Sequence, residues 1–384
     1  MPKQPKQRRF RLRTALLLAS LAVLAAAALL STRPQLVDRY YSQGWSAALG
    51  GWLSLFSGLF SGSLAEILIL ALLFWLAASA LLGLRHIRQG RRGWGQSLRN
   101  GMLRLFTVAS ALAALFYLTW GLNYSRPPMA QRMGWQQWSE QGQNAQQRTE
   151  ELSRLCLQLV EAANQAYLEA HKGPQWQNGQ APLQLSQIDS ALEQGFHQAA
   201  ARLGRPSSWA ASRGPAKPAR SSLLLSYLGT AGIYFPWTAE AHYNSMLPDV
   251  QLPHTIAHEK AHQRGVASED EASLAGFLAC LDSGQAYVRY SGLVFAQRRL
   301  LSELYRREPD QARQLIAKRL QAVEQDIRSA NQFWRSFEGP ATRVSERVND
   351  TYLKFHRVEG GIDSYRLSAR LLVLYARSQG GTLF

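Results

Sequence analysis

Cysteine is nearly absent: 384 residues hold two, Cys156 and Cys280, and neither sits in a CxxC pair. That excludes a disulfide scaffold and a cysteine-paired metal site. Charge is sparse at 18% of residues, and acids are scarcest, 26 Asp and Glu against 43 Lys and Arg. The shortage is local. Residues 1–120 carry fourteen basic side chains and only two acids, Asp38 and Glu66; the other 264 residues carry 29 basic and 24 acidic ones. No internal repeat is visible. An apolar fraction of 46% is ordinary for a globular chain and excludes disorder and fibrous repeats. The length allows about two domains.

What fills the acid-poor third is apolar sequence. Three apolar runs, about 14–32, 66–84 and 104–122, are each just long enough for the ~20 residues that cross a bilayer as helix. A cleaved signal peptide would share the basic start of the first run. Two further runs, and no small-x-small cleavage site, favour an uncleaved anchor. Lys3, Lys6, Arg8, Arg9, Arg11 and Arg13 precede the first run. Arg85, Arg88, Arg91, Arg92, Arg99 and Arg104 fill the connection between the second and third. Basic loops stay cytoplasmic, so the N-terminus and the arginine loop are expected inside, and residues 32–66 and everything after 122 outside. Both clusters suit anionic lipid. The partner expected is thus a lipid bilayer, and nucleic acid is not expected. Within 32–66, Trp45, Trp52, Leu53, Phe56 and Phe60 recur at helical spacing. They suit either a helix in the membrane interface or a loop packed on the soluble part.

Pro127 and Pro128 mark a boundary, giving a membrane domain at 1–124 and a second domain at 125–384. Periodicity in the second domain predicts helices near 149–170, 186–203, 254–264, 268–306, 308–337, 340–356 and 362–378. Residues 205–221 read as loop, and 222–235, broken by Gly229 and Gly232, as a hairpin or bulged edge strand. Ser268 with Glu271 three residues later forms a capping-box pattern. The fold class is mainly α with a small β-sheet.

One motif carries chemistry, His258-Glu259-x-x-His262. Residues i and i+4 share a helix face, so both imidazoles can reach one zinc ion, and Glu259 is placed as general base toward a water. Such a site needs a third ligand and an open position. Glu269-Asp270-Glu271 opens the next helix, with Glu269 the first choice and Glu271 its competitor; two residues apart, they cannot share a face. In the gluzincin ligand helix that Glu269, Ala272 and Ser273 resemble, the place of Ser273 often holds an Asp or Asn that orients a ligand histidine. Lys260 sits where peptidases of this pattern prefer an uncharged residue, and at i+2 from His258 it points off the metal face. His254, His258 and His262 would span about 12 Å of helix axis, too far for one ion, so His254 is read as a helix-start or cleft residue. An oxyanion donor is also required; Tyr287, Arg289, Tyr290, His242 and Tyr352 are candidates.

At these residues the chain resembles a zincin. Glu269 with Ala272 and Ser273 is similar to the ligand helix of gluzincin metallopeptidases. More narrowly, the chain resembles an uncharacterised bacterial membrane family with N-terminal spans, a W-G-x-N-Y-x-R-P-P junction and an HExxH-Q-R-G…E-D-E-A signature. These stand here as Trp120 to Pro128 and His258 to Ala272. The segment from Ile233 to Ala241 and the run Asn349-Asp350-x-Tyr352-Leu353-Lys354 also look familial. The resemblance implies a membrane-anchored, extracytoplasmic, gluzincin-like zinc peptidase of unknown protein or peptide substrate. By analogy with zincins, an edge strand before the zinc helix would bind extended peptide, and 222–235 is placed for it. The rival expectation is a non-catalytic zincin-fold module for binding or sensing, favoured by Lys260, Ser273 and the lack of an evident oxyanion donor.

Overall fold

The computed structural model describes residues 5–90, 93–138, 144–172, 183–355 and 364–384. Several sequence expectations lie outside the described residues: Lys3, Arg91, Arg92, and the side chains of Lys6, Arg8, Arg9, Tyr352, Leu353 and Lys354. The chain divides into two compact units, Met1–Arg126 with Phe235–Ala239, and Pro127–Tyr234 with Glu240–Phe384.

The first unit holds α1 (Pro5–Leu30), α2 (Ser46–Gly58), α3 (Leu64–Arg88) and α4 (Trp94–Thr119). Three of these, α1, α3 and α4, are long and apolar enough to cross a membrane. α1 stops two residues short of the expectation. The hydroxyls of Ser31 and Thr32 turn back onto Ala28 O and Leu29 O, and Pro34 follows. α4 begins ten residues early, taking in Arg99 and Arg104, and stops at Thr119. Beyond it Gly121 packs so closely that a Cβ there would lie 2.5 Å from the Phe116 ring.

The last carbonyls of α4 have no partner within their own helix, and a neighbouring segment supplies donors. Tyr41 Oη donates to Tyr117 O at 2.8 Å, Trp45 Nε1 to Leu118 O at 2.8 Å and Ser46 Oγ to Thr119 O at 3.0 Å. Asn123 donates to the same Ser46 hydroxyl, and Arg126 pairs with Asp38. The Trp-Gly-x-Asn-Tyr-x-Arg junction is therefore a structural knot. α2 has the reverse of a water-facing pattern. Ser46, Gly51, Ser54 and Ser57 are buried, while Trp52 is 77% exposed and Phe56 and Leu59 are also exposed. Small residues inside and large apolar ones outside suit apolar surroundings.

The second unit is mostly helical: α5 (Ala145–Ala170), α6 (Leu185–Arg202), α7 (Ser222–Tyr227), α8 (Leu252–Gln263), α9 (Glu269–Leu281), α10 (Ala286–Arg307), α11 (Pro309–Ile316), α12 (Gln321–Phe337), α13 (Pro340–Phe355) and α14 (Ser364–Ser378). β1 (Lys217–Ala219), β2 (Gly232–Phe235) and β3 (Glu240–Asn244) form one sheet in the order β1-β3-β2, with β1 parallel to β3. The expected strand at 222–235 is corrected in its first half. Ser222–Tyr227 is a helical turn and a half, its three leucines being good helix formers, and Ser226 Oγ donates back to Ser222 O. Gly229, at φ +69°, ends it. The loop at 205–221 contains β1. The long helix expected at 268–306 breaks at 282–285, where Gly284 takes φ +69° and Ser283 Oγ bonds Cys280 O. The one at 308–337 breaks between α11 and α12. The apolar core is shared by α5, α6, α8, α9, α10 and α14, with Cys156 and Cys280 fully buried in it.

Candidate metal centre

α8 carries the motif, and its ends are specified locally. Pro253 occupies the first turn, where no intrahelical N–H is required. Gly265, at φ +80°, reverses the chain, and this return brings Val266 O to 2.6 Å from His262 Nδ1. A carbonyl only accepts, so Nδ1 carries the proton and Nε2 presents a lone pair. His258 Nδ1 lies 3.3 Å from Ser273 Oγ on α9, which fixes the second ring. The serine does the orienting expected of a longer Asp or Asn. Gly276 makes this possible, since a Cβ there would touch the His258 backbone nitrogen at 3.0 Å.

The two Nε2 atoms converge to 3.1 Å, and Glu269 Oε2 lies 3.0 Å from that of His258 and 3.7 Å from that of His262. Ligand atoms of His258, His262 and Glu269 all fall within 4.8 Å of one another. Zinc bonds of 2.0–2.2 Å at tetrahedral angles separate ligand atoms by roughly 3.3 Å, so this donor set fits a divalent cation. Two Nε2 atoms 3.1 Å apart can share a proton or, with Glu269, a cation. Burial opposes a positive charge on His262, but Glu269 and Glu259 raise its pKa to about 9. Burial would likewise lift Glu269, yet the two histidines pull it well below the carboxylate range. The carboxylate that draws a proton here would equally draw a metal ion. Glu269 is 37% exposed, which leaves the cluster open on that side.

Glu259 is 5% exposed, and burial raises its pKa, the histidines opposing and Glu269 adding to the rise. Strand β2 runs directly over it. A Cβ on Gly232 would meet Glu259 Cγ at 2.6 Å, so only glycine allows this approach. Two residues on, the Tyr234 ring lies nearly parallel to that of His262 at 6.5 Å. Alternate residues of a strand share a face, so Gly232 and Tyr234 look the same way. Sequence reasoning missed both; the Gly-x-Tyr alternation was the available signal.

The remaining residues fall elsewhere. Glu271 accepts from the Met129 N–H and from Arg132 at 2.8 Å, away from the histidines. The capping box does not form, because the Ser268 hydroxyl bonds Asp270 instead. Lys260 is wholly buried and pairs with Asp189 at 2.8 Å and Glu193 at 2.9 Å on α6. His254 stacks on Phe295 at 3.7 Å, and burial drives its pKa down to about 3. Of the oxyanion candidates, Tyr287 donates to Asp249 O, Tyr290 to Asp326, and Arg289 pairs with Glu169. His242 is buried in β3.

Neither a curated protein nor a solved structure matches the chain. A family of proteins of unknown function does match, over residues 41–373, a stretch that includes the histidine pair and Glu269. The chain accordingly belongs to the family described as "Protein of unknown function (DUF3810)".

Proposed function

We propose that the protein is a membrane-anchored, zinc-dependent peptidase with a gluzincin-like site. The observation that carries this reading is the convergence of His258, His262 and Glu269 beside the buried carboxylate of Glu259. Zinc, when bound by the three ligands, supplies a Lewis acid that lowers the pKa of water and polarises a carbonyl. The chain's own groups do the rest. Val266 O and Ser273 Oγ hold the two imidazoles with Nε2 turned inward. Glu259 takes the proton of the attacking water at its carboxylate and later returns it to the leaving amine. The edge position of β2 offers its backbone to an extended peptide, and Gly232 keeps that peptide close to Glu259.

The arginine-rich connection after α3 argues for an internal loop and an N-terminus inside a bacterial cytoplasmic membrane, which leaves the second unit outside. The substrate class is a peptide or protein. Two residues that favoured a non-catalytic module have other roles here: Lys260 sits in an ion-pair cluster and Ser273 orients a histidine.

The test is zinc content and peptide-library hydrolysis by the purified full-length protein. About one zinc per chain is expected, lost in His262→Ala and Glu269→Ala. Glu259→Gln should keep the zinc and lose hydrolysis by about 10²–10⁴-fold. Unchanged hydrolysis in Glu259→Gln would overturn the mechanism, and bound zinc with no turnover of any peptide would put the binding module first.

A further inference from the structure

A second concave site lies between α5, α10 and α14 and shares no residue with the metal cluster. Its volume is about 380 Å³. Each helix presents residues at i, i+3 and i+4: Arg148, Glu151 and Leu152 from α5, Glu303, Arg306 and Arg307 from α10, Arg370, Val373 and Leu374 from α14, the last extended by Arg377. Five guanidinium groups therefore face two carboxylates. Glu151 is bound on both oxygens by Arg377, at 2.9 and 2.6 Å, a pair nearly removed from solvent. Glu303 is shared by Arg306 and Arg307. The floor is apolar, with Leu152 and Leu374 buried in the core.

We propose that this cleft binds the phosphoryl group of an anionic ligand. The two carboxylates hold three of the five forks in place, those of Arg306, Arg307 and Arg377, and the lining keeps three positive charges in excess. A phosphate ester carries several acceptor oxygens and up to two charges, and planar guanidinium groups on neighbouring helices match that geometry better than a single carboxylate would. The apolar floor suits the carbon part of the ester. The same chemistry is offered by a phospholipid headgroup and by a free phosphate compound.

Binding is measured by calorimetry on the full-length protein in neutral detergent at about 0.15 M salt. One arm uses sodium pyrophosphate; the other compares dihexanoyl phosphatidic acid with dihexanoyl phosphatidylcholine. Binding of pyrophosphate, or of phosphatidic acid over phosphatidylcholine, is expected, and which arm responds assigns the source. The paired variant Arg148→Ala with Arg370→Ala should weaken it by about tenfold or more. Arg328→Ala, on the solvent face of α12 and 73% exposed, should leave it unchanged. Unaltered unfolding midpoints check that both variants fold. If neither probe binds, or if Arg328→Ala weakens binding as much as the pair does, the proposal fails.

Discussion

Gly232 and Ser273 do the most with the least chemistry. The glycine lets a strand lie on a carboxylate, and the serine steers an imidazole. Gly232→Ala must displace Glu259 or β2, because 2.6 Å is far inside van der Waals contact. We expect peptide hydrolysis to fall by about tenfold or more while zinc content stays unchanged. Zinc lost together with activity would mean that the whole α8 region had shifted. The motif histidines and Glu259 were legible in the sequence because helical spacing alone places them. Which acid joins the two histidines was legible only as a choice between two glutamates. What removes Glu271 from contention is a contact with Met129 and Arg132, about 140 residues away in the chain. No local pattern encodes such a contact.

At the scale of elements, α8 is fixed from behind by charge. Lys260 and Arg264 project from it to Asp189 and Glu193 of α6, and the Arg264 guanidinium also lies over the Phe196 ring at 4.1 Å. Burial would raise the Glu193 pKa, but Arg264 and Lys260 outweigh it and hold the carboxyl below its ordinary value. A depressed folded-state pKa contributes stability that is fully present above the unfolded value, near 4.3, and is lost as pH falls through the folded one. Thermal unfolding should therefore show a loss of stability below about pH 4.5, and Glu193→Gln should flatten that loss while lowering stability at neutral pH. An acid limb unchanged in Glu193→Gln would remove this pairing as its source. The sequence misled at the same scale. Apolar residues at 223–225 suggested strand, but all three are leucines, which favour helix. The long helical patterns hid breaks that depend on single left-handed or capping residues, such as Gly284.

At the scale of the whole chain, charge asymmetry and apolar runs foretold an apolar N-terminal unit and a helical second unit with a small sheet. The orientation is open to direct test. A phosphatase reporter fused after Phe384 should be active outside the cell, and one fused after Gln89 inactive there; the opposite pair of results would reverse the topology. The first turn of α9 also has a mechanical consequence. Glu269 and Glu271 lie about 200° apart around one helix, one reaching the histidines and the other holding the chain where the second unit begins. That turn is therefore pinned from two sides. Its two sides are held by contacts that lie far apart in the chain, His258 on one and the Met129 N–H with Arg132 on the other.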